Sequence, residues 1–144
     1  MGNQRIYGYT RVSTDQQRLE RGIYDVERFC KERNYTLHEM ITDKITGKSF
    51  ERTGYERLRN DLLRSGDILI IPEVSRLGRT SALIKQELEY FKSNNIRIMI
   101  LEIPTTTMDT DSLGLPHMAK MFVELITNML IEFYSLTAET ELIQ

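Results

Sequence analysis

Asp67-Ile68-Leu69-Ile70-Ile71-Pro72, near the middle of the 144-residue chain, is an unbroken apolar run closed by a proline. A strand covered on one face alternates apolar and polar side chains. A strand covered on both faces has no reason to alternate, and buried parallel strands read as continuous runs of this kind. Outward toward the C-terminus, Ile96 to Ile103 is a second apolar strand, and toward the N-terminus Thr36 to Thr42 and Arg5 to Val12 read as two more. Between these lie helical patterns. Leu19, Ile23, Val26, Phe29 and Cys30 recur at three-to-four spacing in a helix reaching about Asn34, with Thr14 and Gln17 as a capping box at its start. A second helix carries Tyr55, Leu58, Leu62 and Leu63 and ends at Gly66, and a third runs from about Thr80 to Asn94. Strands alternating with helices predict an α/β fold, a parallel sheet covered on both faces.

Beyond that sheet the chain has a polar loop from Lys44 to Thr53, a threonine-rich loop from Pro104 to Asp111, and one long helix from about Leu113 to the end. The long helix is apolar on more than one stripe. Leu115, Met118, Phe122, Leu125 and Met129 form one, and Val123, Ile126, Leu130 and Phe133 another. A helix docked on a sheet needs about one apolar face, so the surplus predicts self-association, with deep burial in its own domain as the alternative. Met108, Met118, Met121 and Met129 suit an adaptable interface as well as ordinary core filling. Lys120, Glu124, Asn128 and Glu132 interrupt the run every fourth residue, which speaks against a membrane span.

Composition sets broad limits. Hydrophobic residues make up 40% and charged residues 28%, ordinary for one globular domain, and the net charge of −2 carries no basic excess of the kind dedicated DNA-binding modules show. Cys30 is the sole cysteine, so neither an internal disulfide nor a thiolate metal cluster can form, and a reducing cytoplasmic setting fits. Its place on an apolar helix stripe reads as core. His38 and His117 have no metal-ligand spacing and read as surface residues. Tyr7, Tyr24 and Tyr55 read as packing residues. No cofactor or metal is expected.

Three segments carry chemistry. Tyr9-Thr10-Arg11-Val12-Ser13-Thr14 ends the first strand, and alternation puts Tyr9, Arg11 and Ser13 on one face. The carboxyl ends of parallel strands are where α/β sheets place their sites. Ser75-Arg76-Leu77-Gly78-Arg79 follows the buried strand at that same edge. If a helix begins there, Arg76 and Arg79 share its face and Gly78 leaves room for a large group. Thr46-Gly47-Lys48-Ser49-Phe50-Glu51-Arg52 is a loop ending in another arginine. Taken singly, each also reads as surface solvation. Together, Arg11, Arg52, Arg76 and Arg79 could surround one phosphate and the Ser13 hydroxyl, because guanidinium forks match phosphate oxygens in pairs and stay ionised.

These motifs resemble those of the serine recombinases, the resolvases, invertases and serine integrases. Y-x-R-V-S-T, T-D-K-x-T-G-K-S-x-E-R and S-R-L-G-R occur in the family's order over nearly the whole chain. The resemblance implies a resolvase-like catalytic core over residues 1–112, a long helix over 113–144 for dimerisation and DNA contact, and a DNA-binding domain absent from this chain. It implies that Ser13 is the nucleophile forming a 5′-phosphoserine link, with Arg11, Arg52, Arg76 and Arg79 as active-site arginines. Tyr9, Gln17, Asp43 and Ser75 fall near the site in supporting places. The implied partners are double-stranded DNA and further copies of the chain, a homodimer through residues 113–141 and a tetramer at synapsis. The implied setting is cytoplasmic, in a bacterium or mobile element, associated with the nucleoid.

The chain departs from the family at several points. Ser75 stands where most members have Asp, and a hydroxyl is a poorer general base than a carboxylate, so the proton path is open, with Glu73 nearby. A lysine common before Gly66 has no counterpart among Asn60, Asp61 and Leu62. Ala138-Glu139-Thr140-Glu141 is followed by Leu142 rather than arginine. One alternative is a different phosphoryl-transfer enzyme or phosphatase on a similar sheet, which would need a phosphate-loop cysteine or an acidic metal-binding cluster, and neither is apparent. The other is a catalytically impaired DNA-binding and dimerisation module that keeps the fold and the dimer helix.

Overall fold

The computed structural model describes residues 4–12, 16–44 and 52–143. Four strands form one wholly parallel sheet in the order β2-β1-β3-β4, with β1 Ile6–Val12, β2 Leu37–Lys44, β3 Ile68–Ile71 and β4 Arg97–Ile100. The apolar run of β3 is covered on both faces, and all four of its residues are buried. Ile68 and Ile70 join Ile6, Val26, Cys30 and Met99 beneath α1 (Gln16–Glu32), while Leu69 and Ile71 join Tyr7, Tyr9, Tyr55, Leu58, Ile84 and Phe91 on the opposite face. The second face is covered by α2 (Thr53–Arg57) and α3 (Ser81–Ser93). α1 comes close to β1 because two glycines let it. A Cβ on Gly8 would stand 2.8 Å from Val26 Cγ1, and one on Gly22 would stand 2.8 Å from Thr10 Oγ1.

The expected elements are all present among the described residues, with shifted ends. α1 stops at Glu32, and Asn34, at φ 58°, turns the chain in the left-handed region just beyond. α2 passes directly into a π-helical turn, Leu58–Leu62, and the helix ends there rather than at Gly66; Leu63 is already extended. β4 ends at Ile100, not Ile103. The Thr106 hydroxyl accepts from Ile100 N at 2.8 Å and donates to Ile103 O at 2.7 Å, folding the chain back into a 3-10 turn, Pro104–Thr107, within the expected loop. The long helix α4 begins at His117, not Leu113, because Gly114 holds a left-handed conformation (φ 66°) and Pro116 follows two residues later. Thr14 lies outside the described residues, so the expected cap of α1 does too.

α4 (His117–Ile143) packs by one side against α3, the Pro104–Thr107 turn and the 3-10 turn Val74–Arg76. Leu130, Ile131 and Tyr134 reach the core, and Ser135 is fully buried. The other side is open. Met118 is 70% exposed and Phe133 62%, and Met121, Phe122, Leu125, Ile126, Met129 and Leu136 are exposed as well. The two expected stripes thus divide differently from the sequence reading: Leu130 turns inward, while Ile126 and Phe133 face out with the first stripe. His117–Thr140 is long and apolar enough to cross a membrane by length and composition. A spanning pose would strip away the Lys85–Glu132 ion pair at 2.5 Å and the Thr127–Thr105 hydrogen bond at 2.6 Å that fasten α4 to its own domain.

Candidate active site

The end of β1, the segment after β3 and the start of α2 meet at the carboxyl edge of the sheet. Arg11, only 8% exposed, donates from Nη2 to the Ser75 carbonyl at 2.6 Å. Arg52, just ahead of α2, donates from Nη1 to Leu77 O at 3.2 Å and from Nη2 to Arg76 O at 2.7 Å. Two arginines distant in sequence therefore grip the backbone of one short loop. Arg76 lies in that loop and its Nη2 pairs with Glu73 at 2.9 Å. Glu73 is thereby engaged as an arginine partner.

Gathering like charges leaves a mark on Arg11. Burial first, and then the positive charges of Arg52, Arg76 and Arg79, lower its pKa to about 10 from 12.5, with Tyr9 pulling the other way. Arg11 remains a cation at neutral pH. Each unit of such a shift corresponds to about 1.4 kcal/mol, so burying this cation among like charges opposes folding by an amount on the order of 3 kcal/mol, burial being the larger cause. Three guanidinium nitrogens of the cluster are also buried without a hydrogen-bond partner among the described residues: Arg11 Nη1, Arg52 Nε and Arg76 Nε.

Beside the arginines, Asp43 faces Arg11 in the β1–β2 register. Its carboxylate accepts from the Tyr9 hydroxyl at 2.8 Å, Gly54 N at 2.8 Å and Tyr55 N at 3.0 Å. A Cβ on Gly54 would stand 2.7 Å from Asp43 Oδ1, so the glycine is needed for this approach. Burial, with help from Asp43, raises the Tyr9 hydroxyl pKa well above its ordinary value of 10 despite the opposing pull of Arg52. Tyr9 is held neutral as a donor. The pair ties β1 and β2 to the start of α2, which sets where Arg52 begins.

Of the residues expected at the site, Tyr9, Arg11, Asp43, Arg52, Ser75 and Arg76 come together at this edge. Arg79 is exposed but near enough to act on Arg11. Gln17 lies in the first turn of α1 and is exposed. Ser13 lies outside the described residues, as do residues 45–51 of the arginine loop; in the chain, Ser13 directly follows the last residue of β1.

Two expectations about the Arg76 segment are corrected. No α-helix carries Arg76 and Arg79 on a shared face: the chain makes a 3-10 turn at Val74–Arg76, and α3 begins only at Ser81, capped by the Thr80 hydroxyl accepting from Leu83 N at 3.2 Å. Gly78 does not keep a surface open. It is buried, and a Cβ there would stand 2.9 Å from Leu83 Cβ, so it serves the close packing of loop on helix. Among the tyrosines, Tyr7 and Tyr55 are core residues, but Tyr24 is 60% exposed. His38 and His117 are exposed and Cys30 is buried, as expected.

Sequence reading missed a cluster behind Arg52. The Arg52 guanidinium lies over the Tyr55 ring at 3.8 Å, and the Tyr55 hydroxyl donates to Glu87 on α3. Glu87 also receives Arg59, Nε to Oε1 at 2.8 Å and Nη2 to Oε2 at 3.2 Å, while Arg59 stacks on Tyr90 at 3.6 Å. No local pattern signals a contact between residues 55 and 87.

Comparison with known proteins identifies the family and the fold. Residues 6–136 match the family model described as the resolvase N-terminal domain. The chain is 33% identical over 98 residues to the transposon Tn3 resolvase of Escherichia coli, covering 68% of this chain and 50% of that protein. It is 31% identical over 123 residues to a resolvase/recombinase of Pseudomonas putida, covering 85% of this chain and 61% of that one. It thus spans only about half to three fifths of the length of these relatives. Its fold resembles the N-terminal catalytic domain of TP901-1 integrase, with a TM-score of 0.60 at 20% identity over 88% of this chain and 93% of that one. It also resembles a resolvase family site-specific recombinase from Streptococcus pneumoniae, with a TM-score of 0.56 at 19% identity over 90% and 89%. By the match over nearly its whole length, the chain belongs to the resolvase N-terminal domain family, the catalytic-domain fold of the serine recombinases.

Proposed function

We propose that this chain is the catalytic domain of a site-specific DNA recombinase, and that Ser13 is its nucleophile. The Ser13 hydroxyl gives up its proton as Oγ attacks the phosphorus of a DNA phosphodiester, the bond from phosphorus to the 3′ oxygen breaks and that oxygen takes up a proton, and a 5′-phosphoserine ester remains. Attack by a 3′ hydroxyl on that ester reverses the step and frees the serine, so the bond energy is kept and no nucleotide cofactor is needed.

The observation that carries the reading is the set of three unmet guanidinium N–H groups, on Arg11, Arg52 and Arg76. A buried donor left without an acceptor costs roughly 1–3 kcal/mol. A phosphate offers acceptors to all three and at the same time offsets the repulsion that, after burial, lowers the Arg11 pKa. Charge builds further on the phosphoryl oxygens in the transition state, so donors already fixed by the Ser75, Arg76 and Leu77 carbonyls stabilise it without reorganising. Tyr9 and Asp43 act by holding the frame, and Ser75 lends its carbonyl to Arg11.

In this reading residues 1–112 form the catalytic core and residues 113–141 the dimer contact, through the open apolar side of α4. Strand exchange takes place in a tetramer on double-stranded DNA in the bacterial cytoplasm.

Covalent trapping tests the assignment. The full gene product is mixed with fragments of its own genome and denatured, and the DNA-linked peptides are mapped by mass spectrometry. The adduct is expected on Ser13, joined to a 5′ phosphate, and absent from Ser13→Ala. An adduct on another residue, or none under conditions where DNA is bound, rejects the assignment.

A further inference from the structure

Arg52 is held in place by an unusual set of contacts. Two of its three nitrogens are committed to carbonyls of the Arg76–Leu77 loop, and its flat face rests on Tyr55, which is only 4% exposed. The guanidinium nevertheless borders open space. A cavity of about 310 Å³, lined by Arg52, Tyr55, Arg59, Leu77, Leu83 and Glu87 among others, lies beside it. Packing density alone does not stop the side chain from swinging away from the loop. The Tyr55 ring on which it rests packs against Tyr9 and Phe91, while its hydroxyl end, beside the same cavity, is held by a hydrogen bond to Glu87.

We propose that Glu87 is a positioning residue for the active site: it pins the Tyr55 hydroxyl, and the pinned ring holds the Arg52 guanidinium against the Arg76–Leu77 loop with Nε directed at the phosphate. The chain of contact runs from α3 to the catalytic loop in three links, Glu87 to the Tyr55 hydroxyl, the Tyr55 ring to Arg52, and Arg52 to the Leu77 and Arg76 carbonyls. The Tyr55 hydroxyl is a neutral donor throughout, since burial and then Glu87 raise its pKa far above the ordinary value. Glu87 is fixed in turn by Arg59, with both carboxylate oxygens engaged. The same three links put α3, and through it α4, in mechanical contact with the loop that carries Arg76. This inference takes the site to be the phosphate site proposed above, but the contact chain can be tested without any reaction.

The test follows the Arg52 Nε–H by NMR in the 144-residue chain, as its rate of exchange with water, first alone and then with inorganic phosphate as probe. In Glu87→Ala and in Tyr55→Phe, exchange at Arg52 is expected to quicken by about tenfold or more, the scale set by loss of one hydrogen bond to a charged group. Glu87→Gln keeps an acceptor for the Tyr55 hydroxyl and is expected to restore most of the protection. Arg59→Gln loosens Glu87 but leaves it the Tyr55 hydroxyl, and is expected to quicken Arg52 exchange less than Glu87→Ala does. Thermal melting of each variant reports whether it is folded. Unchanged Arg52 exchange in folded Glu87→Ala and Tyr55→Phe, with only a lower melting temperature, would show that Glu87 is merely structural and overturn the proposal. If Arg52 protection behaves as expected while phosphate shifts no arginine signal, the positioning inference stands and the phosphate site fails.

Discussion

The arginine cluster and the outer side of α4 are incomplete in opposite ways. At the sheet edge, charge and hydrogen-bond donors are buried: Arg11, Arg52 and Arg76 each hold a guanidinium nitrogen out of water with no acceptor among the described residues. Along α4, apolar side chains are exposed: Met118, Phe122, Leu125, Met129 and Phe133 stand open to solvent. A single chain in water gains nothing from either arrangement. The first is relieved by an anion, the second by an apolar surface on another protein. The two regions are joined through the inner side of α4, which packs on the turn that carries Ser75 and Arg76. In the proposed function, one region takes the DNA phosphate and the other takes the second copy of the chain.

The largest effect separating the two regions is expected from the cluster. Arg76→Gln and Arg52→Gln should each slow formation of the covalent DNA adduct by roughly 10²–10³-fold, the range for removing one preorganised donor from a developing charge. Dimerisation should be untouched in both. A rate within a few-fold of the parent protein would remove that arginine from the site.

The opposite pattern is expected from α4. Leu125→Asp, on the open side, should weaken self-association by about 30-fold or more, as truncating a central interface anchor costs roughly 2 kcal/mol. Sedimentation equilibrium reads this directly. The melting temperature of the dilute chain should hardly move, because Leu125 does not contribute to the core.

Phosphate binding gives a smaller effect. At a hundredfold excess over its dissociation constant, inorganic phosphate should stabilise the chain by about 2.7 kcal/mol, a rise of several degrees in melting temperature. Arg11→Gln should lose most of that rise while melting at a similar temperature without phosphate, since the substitution also removes a repulsive charge.

The smallest effect is in alkaline solution, where two kinds of group oppose each other. Burial raises the pKa values of Tyr9 and Tyr55, so the stability tied to their neutral forms is present below the ordinary value of 10 and fades as pH rises past it. Arg11 has the opposite sign. Its pKa is lowered to about 10, so the cost of its charge is present in full below that pH and diminishes above it. Between pH 9 and about 11 the loss from the tyrosines should therefore be partly masked in the parent chain and steeper in Arg11→Gln. Equal slopes in a pH series of melting curves would show that neither burial nor the neighbouring arginines lower the Arg11 pKa.

The sheet was legible because its physical cause is local. Ile68–Ile71 is covered on both faces, and a strand in that position has no polar side chain to show. The candidate site was legible in part for the same reason, since Arg11 lies in one short motif and Arg76 and Arg79 in another. What the sequence could not reveal depends on contacts between distant residues. The Arg76 segment reads as a helix start, but Arg11 and Arg52 seize its carbonyls and hold it as a 3-10 turn. Tyr55 reads as core, and it is, but its hydroxyl finds a carboxylate 32 residues away. Leu113 fits the period of the last helix, yet Gly114 and Pro116 delay the start to His117. Gly78 reads as open space because a sequence does not show what packs above a glycine.

The measurement closest to the central claim is a crystal structure of the protein covalently trapped on cleaved DNA. The phosphate joined to Ser13 should lie within about 3 Å of Arg11 Nη1, Arg52 Nε and Arg76 Nε, normal hydrogen-bond distances for each. A phosphate bound elsewhere, with those three nitrogens still facing only protein, would contradict it.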